Sequence, residues 1–366
     1  MKKILQWLLR KPVTRLAEKI SSAPEKEKVF ASLSQLLESI RNKNESSGII
    51  VPFNLQTGKI VIFSDQHKGA RDPADDFRLS QKNYITALDY YFNNGFHFVN
   101  LGDCEELWEN KPDIVLEKNQ ADLQAEARFL NSHRYYRVFG NHDLQWKYEF
   151  PRNRFLKPLF GDRLKIYEGI LFTTRYNNRN ISILCSHGHQ GDQKSDGNAF
   201  STWFVAAIWT PLQRFLDINI NSTSDSFELV DKHNIIMYEW SATQPNLLFV
   251  SGHTHKPVFA SLDHIERITR QMEKAKAAND MAALQILEEE LEQRKKEYAG
   301  KQFHKTMVTP SYFNTGCCCF SDGDITGIEI EGDAIRLVKW KEESGQCHRI
   351  VLEQGPLSYI FDLLPH

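Results

Sequence analysis

The chain has 366 residues, of which 41% are hydrophobic and 25% charged, an ordinary composition for a folded protein with one large core or two smaller ones. Its 45 basic and 47 acidic side chains leave a net charge of −2, which excludes a molecule-wide field that would attract nucleic acid or an anionic membrane. No segment approaches the ~20 apolar residues of a membrane-spanning helix, so we expect at most a peripheral membrane contact.

Residues 1–50 are predicted to form a helical N-terminal extension. Apolar residues recur at helical spacing in two stretches, 4–9 and 30–40, and a polar break at 21–24 separates them. The first stretch carries Trp7 among leucines and lysines. We expect it to pack on the rest of the chain, and contact with a membrane surface is the alternative.

Residues 51–366 are predicted to form one catalytic domain. Five short apolar runs have the length of strands, and each ends in a cluster of polar residues. Helical segments are predicted between several of them, at 79–93 and 117–131. Strands that alternate with helices indicate a layered α/β core with buried sheets. The five runs are 59–67, 96–103, 135–143, 181–189 and 246–255.

Two stretches interrupt this alternation. Residues 192–244 are aromatic and apolar with helical character, and they are predicted to form a helical cap over the polar clusters. Residues 262–300 are rich in Glu, Lys, Arg and Ala, which predicts a solvated helical hairpin with its turn at 277–280; an arm for oligomers or partners is the alternative. Near the C-terminus, 325–340 is predicted to be a β-hairpin with a Gly-Asp turn.

The six cysteines do not have the spacing of a disulfide framework or of a paired CxxC zinc site. A reducing compartment, and hence a cytoplasmic location, fits them best. Three of them, Cys317, Cys318 and Cys319, are consecutive. We interpret them as alternating in a buried strand, where small thiols pack well, and a redox or accessory-metal role is the alternative.

Side chains that bind metals follow all five predicted strands, at the point where each strand ends. The carboxyl ends of strands define the ligand crevice in open α/β sheets, so we expect these side chains to converge. Mixed carboxylate and imidazole ligands suit manganese, iron or zinc, and seven ligands suit two ions about 3.5–4 Å apart. The residues are Asp65, His67, Asp103, Asn141, His187, His253 and His255, with His189 as the alternative to His187.

The series DxH, GD, GNHD, HGH and GHTH, in this order, resembles the calcineurin-like metallophosphoesterase family over about residues 59–320, and NTGC at 314–317 belongs to the same pattern. The resemblance implies a four-layer α/β/β/α sandwich of two mixed β-sheets, carrying here the helical extension and insertions. It also implies two divalent ions that share a bridging carboxylate. The first would be held by Asp65, His67, Asp103 and His255, and the second by Asp103, Asn141, His187 and His253.

These residues predict a dinuclear-metal-dependent hydrolase of phosphoric monoesters or diesters, acting on a phosphorylated small molecule or a nucleotide-type substrate. A hydroxide between the two ions would attack phosphorus in line, and His142 would protonate the leaving group. Asp143 is expected to orient the His142 imidazole. Lys68 and Arg71, just after the first motif, are candidate contacts for the substrate phosphate.

Two other functions remain open at this point. The segment GDCEELW resembles the GDxxExW of the UDP-2,3-diacylglucosamine hydrolases, a branch of the same superfamily, and implies a UDP-sugar-lipid pyrophosphatase. That branch has Arg where this chain has His142, so the pyrophosphatase is the secondary interpretation. We expect Glu106 to have a structural role, bonding the backbone or a residue that supports a metal ligand. The other function is a non-catalytic metal-binding scaffold that acts through the helical hairpin.

Overall fold

The computed structural model describes residues 24–191, 227–261 and 309–366, together with 272–273, 275–281, 283–288 and 291. Within these ranges, no helix is both long and apolar enough to cross a membrane.

The regular elements follow one another as strands with helices between them. In chain order they are α1 (Lys26–Arg41), β1 (Gly48–Pro52), β2 (Lys59–Phe63), α2 (Phe77–Asn93), β3 (His97–Leu101), α3 (Pro112–Lys118), α4 (Gln120–Asn131), β4 (Tyr135–Val138), β5 (Ile166–Tyr167), β6 (Gly169–Tyr176), β7 (Arg179–Ser186), α5 (Phe227–Thr243), β8 (Leu247–Ser251), β9 (Tyr312–Asn314), β10 (Ile325–Glu331), β11 (Ala334–Glu343), β12 (Gln346–Pro356) and α6 (Leu357–Asp362). Short helical turns connect β4 to β5, at Leu144–Lys147, Glu149–Pro151, Arg152–Leu156 and Lys157–Phe160.

The strands form two mixed sheets. The larger sheet has the order β12-β11-β10-β2-β3-β4-β5, with β2 to β5 parallel and β10 to β12 antiparallel. The smaller sheet has the order β1-β6-β7-β8-β9, in which β7, β8 and β9 are parallel. In both sheets, the parallel strands carry the polar clusters at their carboxyl ends, so each sheet contributes part of one edge.

Three apolar cores separate four layers. Side chains such as Ile62, Val99 and Val250 fill the space between the two sheets. On the outer face of the larger sheet, Phe63 packs with residues of α2 and α4. On the outer face of the smaller sheet, residues of α1 and α5 pack against Leu184 and its neighbours. The arrangement confirms the predicted α/β/β/α sandwich of two mixed sheets.

Hydrophobic patterning located most elements correctly. The predicted helix at 79–93 is α2, and the predicted β-hairpin is formed by β10 and β11 around Gly332 and Asp333. The helix predicted at 117–131 is wrong in one respect, because the chain breaks at Asn119 into α3 and α4. The Asn119 amide donates to the carbonyl of Gly69 at 2.8 Å and thereby joins this break to the loop after β2.

The N-terminal extension and the two insertions are described only in part. The helix predicted from the second apolar stretch is α1, whereas the stretch at 4–9 lies outside the described residues. Of the predicted cap, only α5 is described. In the predicted helical hairpin, Asn279 has a positive φ of 55° and its amide donates to the carbonyl of Lys276, as in a turn between helical segments.

Candidate metal centre

Seven polar residues follow the ends of five strands, and the structure brings them to one edge of the sandwich. β2, β3 and β4 end on one side of this edge, and β7 and β8 end on the other. The side chains come from loops that follow directly after buried strands, whose packing fixes where each loop starts. The seven are Asp65, His67, Asp103, Asn141, His187, His253 and His255.

The first group contains Asp65, His67 and His255, whose ligand atoms lie close enough to hold one metal ion. The Nε2 atoms of His67 and His255 are 3.1 Å apart. His255 Nε2 is 3.3 Å from Asp65 Oδ1, and His67 Nε2 is 3.7 Å from Asp103 Oδ2. Two imidazole nitrogens and two carboxylate oxygens therefore face one small volume.

The second group contains Asp103, His187 and His253. His187 Nε2 is 3.1 Å from Asp103 Oδ2 and 3.2 Å from Asn141 Oδ1. Its other nitrogen, Nδ1, is 2.9 Å from the carbonyl of Leu101, which places the proton on Nδ1 and turns the Nε2 lone pair towards Asp103. Asp103 Oδ2 thus faces both groups, as a bridging carboxylate would.

This geometry places His187, and not His189, against Asp103. The His189 ring centroid is 5.4 Å from that of His187, and the group that contains Asp103 and His253 contains His187 and not His189. Burial and the neighbouring His187 lower the pKa of His189 to about 3, so its imidazole is neutral and packs beside Phe139.

The backbone at the site is held in an uncommon conformation. Five residues of the seven have positive φ values between 49° and 70°, a region that non-glycine residues rarely occupy. Such conformations cost of order 1–3 kcal/mol each and persist where the surrounding structure imposes them, most often at functional sites. Sequence patterning gave no signal of this strain. The five are Asp65, His67, Asp103, His253 and His255.

Gly140 and Gly102 permit the close approach of the loops. A Cβ at Gly140 would lie 2.1 Å from Asp103 Oδ1, and one at Gly102 would lie 2.8 Å from the His187 ring. Gly102 also has a φ of 91°, which a side chain disfavours. Both glycines are therefore required for Asp103 to stand beside His187.

The donor set fits a pair of divalent cations. Asp65 and Asp103 are almost fully buried, at 0% and 1% exposure, and burial of two carboxylates is costly without positive charge between them. Burial raises the pKa of Asp103, but His187 and His142 outweigh it and hold that pKa well below the ordinary value. The buried Nε2 of His253 has no hydrogen-bond partner among the described residues. Ionised carboxylates and open imidazole lone pairs are what first-row divalent ions bind.

His142 is positioned beside the two groups by Glu106. Its Nδ1 is 2.6 Å from Glu106 Oε2, and the same oxygen is 3.0 Å from His67 Nδ1. The His142 ring stacks on Trp108 with centroids 3.8 Å apart. Burial lowers the pKa of His142, but Glu106 and Asp103 outweigh it and raise that pKa to about 9. One carboxylate thus orients both a candidate metal ligand and a candidate proton donor.

The expected role of Asp143 is wrong. Its carboxylate accepts hydrogen bonds from the backbone amides of Gly140 and Cys104, at 2.6 and 3.0 Å, and so pins the loops after β3 and β4 together. Glu106 takes the place beside His142 instead. The structural role expected of Glu106 is compatible with this, since one of its two imidazole partners is His67.

Lys68 is also placed differently from the sequence-based expectation, because its ammonium group is fully buried and cannot meet a substrate. Its Nζ is 2.7 Å from Glu126 and 3.9 Å from Glu105. Arg71 pairs with Asp122, with Nη2 and Oδ2 2.6 Å apart, and its contact with a substrate phosphate stays a prediction.

Cys317 and Cys319 lie at the edge of the first group, which the sequence alone did not indicate. They belong to a loop after β9, and the expectation of a strand at this position is wrong. The Cys317, Cys319 and His255 ligand atoms all lie within 4.8 Å of one another. All six cysteines are free thiols. A further residue missed from sequence is His233 on α5, whose ring is 5.1 Å from that of His253.

Comparison with known proteins gives a match to a family model and weak matches to solved structures. The family description "Calcineurin-like phosphoesterase" matches residues 58–257. No curated protein matches the chain. Among solved structures, Vacuolar Protein Sorting 29 from Cryptosporidium parvum is 11% identical with a TM-score of 0.33, and the match covers 82% of this chain and 99% of that one. A single mutant of Vps29 from Entamoeba histolytica is 14% identical with a TM-score of 0.30, over 81% and 99% of the two chains. Likeness at this level carries no argument about function.

Proposed function

The chain belongs to the calcineurin-like phosphoesterase family, and we propose that it is a metal-dependent hydrolase of phosphate esters. One observation carries the proposal: Glu106 holds His142 next to the ring of seven candidate ligands, with its Oε2 2.6 Å from His142 Nδ1 and 3.0 Å from His67 Nδ1. A scaffold that only bound metal would need the ligands, but it would have no use for a proton donor beside them.

The proposal assigns two divalent ions to the site, from the group manganese, iron and zinc. When bound, they supply positive charge for the phosphoryl oxygens and an activated water as nucleophile. Asp65, His67, Asp103 and His255 would hold one ion, and Asp103, Asn141, His187 and His253 the other.

The chain's own groups then have distinct tasks. His142 is the proposed general acid, which gives its proton to the leaving alkoxide. Glu106 fixes the orientation of the imidazole and favours its protonated form, because its negative charge lies against Nδ1. The backbone amide of His142 donates to Asp103 Oδ1 at 2.8 Å, which leaves Oδ2 turned towards both groups of ligands.

The substrate class is part of the proposal. We propose a phosphorylated small molecule or a nucleotide-type substrate. The six free thiols suit a reducing compartment, and we propose a cytoplasmic location on that ground. The segment 262–300 is the proposed place for a partner or a second copy of the chain.

The test is turnover of mono-aryl and bis-aryl phosphates by the full-length protein with added Mn²⁺, compared with the same assay after chelation. His142→Ala is expected to keep its metal and to lose about 10²–10⁴-fold in rate, mainly on esters with poor leaving groups. His348→Ala, at an exposed histidine on β12, is the matched control and should leave the rate unchanged.

Three results would argue against parts of the proposal. Equal loss of rate by His142→Ala on good and poor leaving groups would remove the acid role. If no ester is hydrolysed in a metal-dependent manner, the non-catalytic scaffold is the function that remains. Release of a nucleoside monophosphate from a UDP-sugar lipid, with little turnover of aryl esters, would favour the pyrophosphatase that the Glu106 and Trp108 segment resembles.

A further inference from the structure

Three potential metal ligands lie together beside the set of seven; Cys317 and Cys319 are outside that set, and His255 belongs to both. The ligand atoms of His255, Cys317 and Cys319 are within 4.8 Å of one another, and Cys317 is within hydrogen-bonding reach of both partners. In a tetrahedral site with Zn–S bonds near 2.3 Å, neighbouring sulfur atoms are separated by about 3.8 Å. The three atoms therefore need to close by only about 1 Å to surround an ion.

The loop that carries the two thiols is fixed to the floor of the site. The Ser64 and Thr315 hydroxyls are 2.5 Å apart, and the amide of Cys318 donates to the carbonyl of Asp65 at 3.1 Å. The Cys317 carbonyl accepts from the amide of Thr326 at 3.0 Å. These bonds anchor the loop to β2 and β10 of the larger sheet, so the positions of its thiols are set by that sheet.

The side chains of the three consecutive cysteines point alternately into different surroundings. Cys318 is fully buried in the apolar core behind the larger sheet. Its two neighbours point away from that core, towards His255; Cys317 is buried and Cys319 is partly exposed. A partly exposed thiol beside a buried one gives an ion a way in from solvent, whereas a purely packing role would not require the two outer thiols to meet an imidazole.

We propose that Cys317, Cys319 and His255 form a separate site for a thiophilic divalent ion of the zinc type, next to the phosphoesterase centre. Two thiols and one imidazole are soft and borderline donors, which favour zinc over manganese. On binding, two S–H protons leave to solvent and two sulfur–metal bonds form with the nitrogen as third ligand; a water completes the four positions.

Sharing His255 links the two sites. Its Nε2 already faces Asp65 Oδ1 and His67 Nε2, so an ion held by the thiols competes for the imidazole with the ion of the first group. Zinc in excess should therefore weaken occupancy of the first group, and manganese should not. This proposal concerns metal binding alone and does not depend on hydrolytic activity.

The test is titration of the metal-free full-length protein with Co²⁺, followed by absorbance. Thiolate ligands should give a sulfur-to-cobalt charge-transfer band in the near ultraviolet, and Zn²⁺ added afterwards should abolish it. The double variant Cys317→Ser/Cys319→Ser should lose the band and bind Co²⁺ at this site about 100-fold more weakly or worse, since even outer partners of metal ligands are worth 10–100-fold. Cys318→Ala, in the same loop but in the core, is the matched control and should keep the band.

Circular dichroism of every variant checks folding, and Cys319→Ser alone is a milder variant at the partly exposed thiol. A reduced charge-transfer band in this folded single variant would support the site. Absence of the band in the unaltered protein, or a band that persists in the double variant, would overturn it. Retained ester hydrolysis in a protein without the band would reject this site while leaving the proposed function standing.

Discussion

Replacing Glu126 by glutamine should destabilise the protein far more than the same substitution in a surface ion pair of similar length. Glu126 is fully buried, and its carboxylate lies 2.7 Å from the buried ammonium of Lys68. The hydroxyls of Tyr84 and Tyr135 donate to the same carboxylate at 3.0 and 2.8 Å. Glutamine keeps the size of the side chain but removes the charge that compensates Lys68.

The burial of the ion pair sets the size of the expected stability loss. Breaking a buried pair from one side leaves an uncompensated charge and costs about 3–5 kcal/mol. Glu331 provides the matched control, because it lies 2.9 Å from Lys59 while the two side chains are 39% and 36% exposed. Water screens such a pair, so Glu331→Gln should cost about 0–1 kcal/mol.

The assay is urea unfolding at pH 7, followed by tryptophan fluorescence, on the unaltered protein and both variants. The combined substitution Lys68→Met and Glu126→Gln should recover most of the loss, because it removes both charges. If Glu126→Gln costs no more than Glu331→Gln, or if the combined variant is less stable than the single one, the electrostatic explanation fails.

Acid unfolding tests the same ion pair, because the Glu126 carboxylate binds a proton at low pH. Burial raises the pKa of Glu126, but Lys68 and Arg137 outweigh it and hold that pKa below the ordinary glutamate value of 4.5. The unfolded chain therefore binds this proton more readily than the folded chain. The stabilisation is present above about pH 4.5 and is lost as the pH falls through the folded-state pKa. Glu126→Gln should flatten this part of the stability curve.

Three further results are expected. Glu106→Gln should lower ester turnover by about 10–100-fold, because it removes the charge that orients His142 and His67. The control Glu117→Gln, at an exposed position on α3, should leave turnover unchanged. An equal loss of turnover in both variants would refute the orienting role of Glu106. Chelation should lower the melting temperature, and added Mn²⁺ should raise it again as its concentration rises, since an ion that binds only the folded chain stabilises it. A melting temperature that does not change with metal would contradict the proposal that these residues bind divalent ions. Gly140→Ala should cost about 1–3 kcal/mol and reduce bound metal measured by elemental analysis, because its Cβ would meet Asp103 Oδ1 at 2.1 Å.

Local sequence predicted a layered α/β core and the candidate ligands, and the resemblance to the metallophosphoesterase family supplied the sandwich of two mixed sheets. A buried strand needs a short apolar run, and its end needs polar or glycine residues, so hydrophobic patterning located seven of the described strands. These are β2, β3, β4, β7, β8, β10 and β11, whereas β1, β5, β6, β9 and β12 were not predicted. In parallel strands the carboxyl ends share one edge, and this rule alone predicted that Asp65, Asp103 and His253 would meet. Chain length and composition added only the expectation of a folded, nearly neutral protein.

Tertiary structure decided which side chains pair with one another within the site. Glu106 and His142 are 36 positions apart on loops after different strands, so adjacency favoured Asp143, whose carboxylate is in fact used by backbone amides. Lys68 follows His67 directly, yet the strand end turns it inwards to Glu126.

The sequence by itself thus determined which strand ends carry metal-binding side chains and in which order, because strand formation and residue chemistry are local properties. Only the tertiary structure decided that His187 faces Asp103 in place of His189, that Glu106 orients His142, and that two thiols stand beside His255. Those contacts join residues far apart in the chain, and their geometry depends on how two sheets pack and on loops held at positive φ. No local pattern encodes that packing.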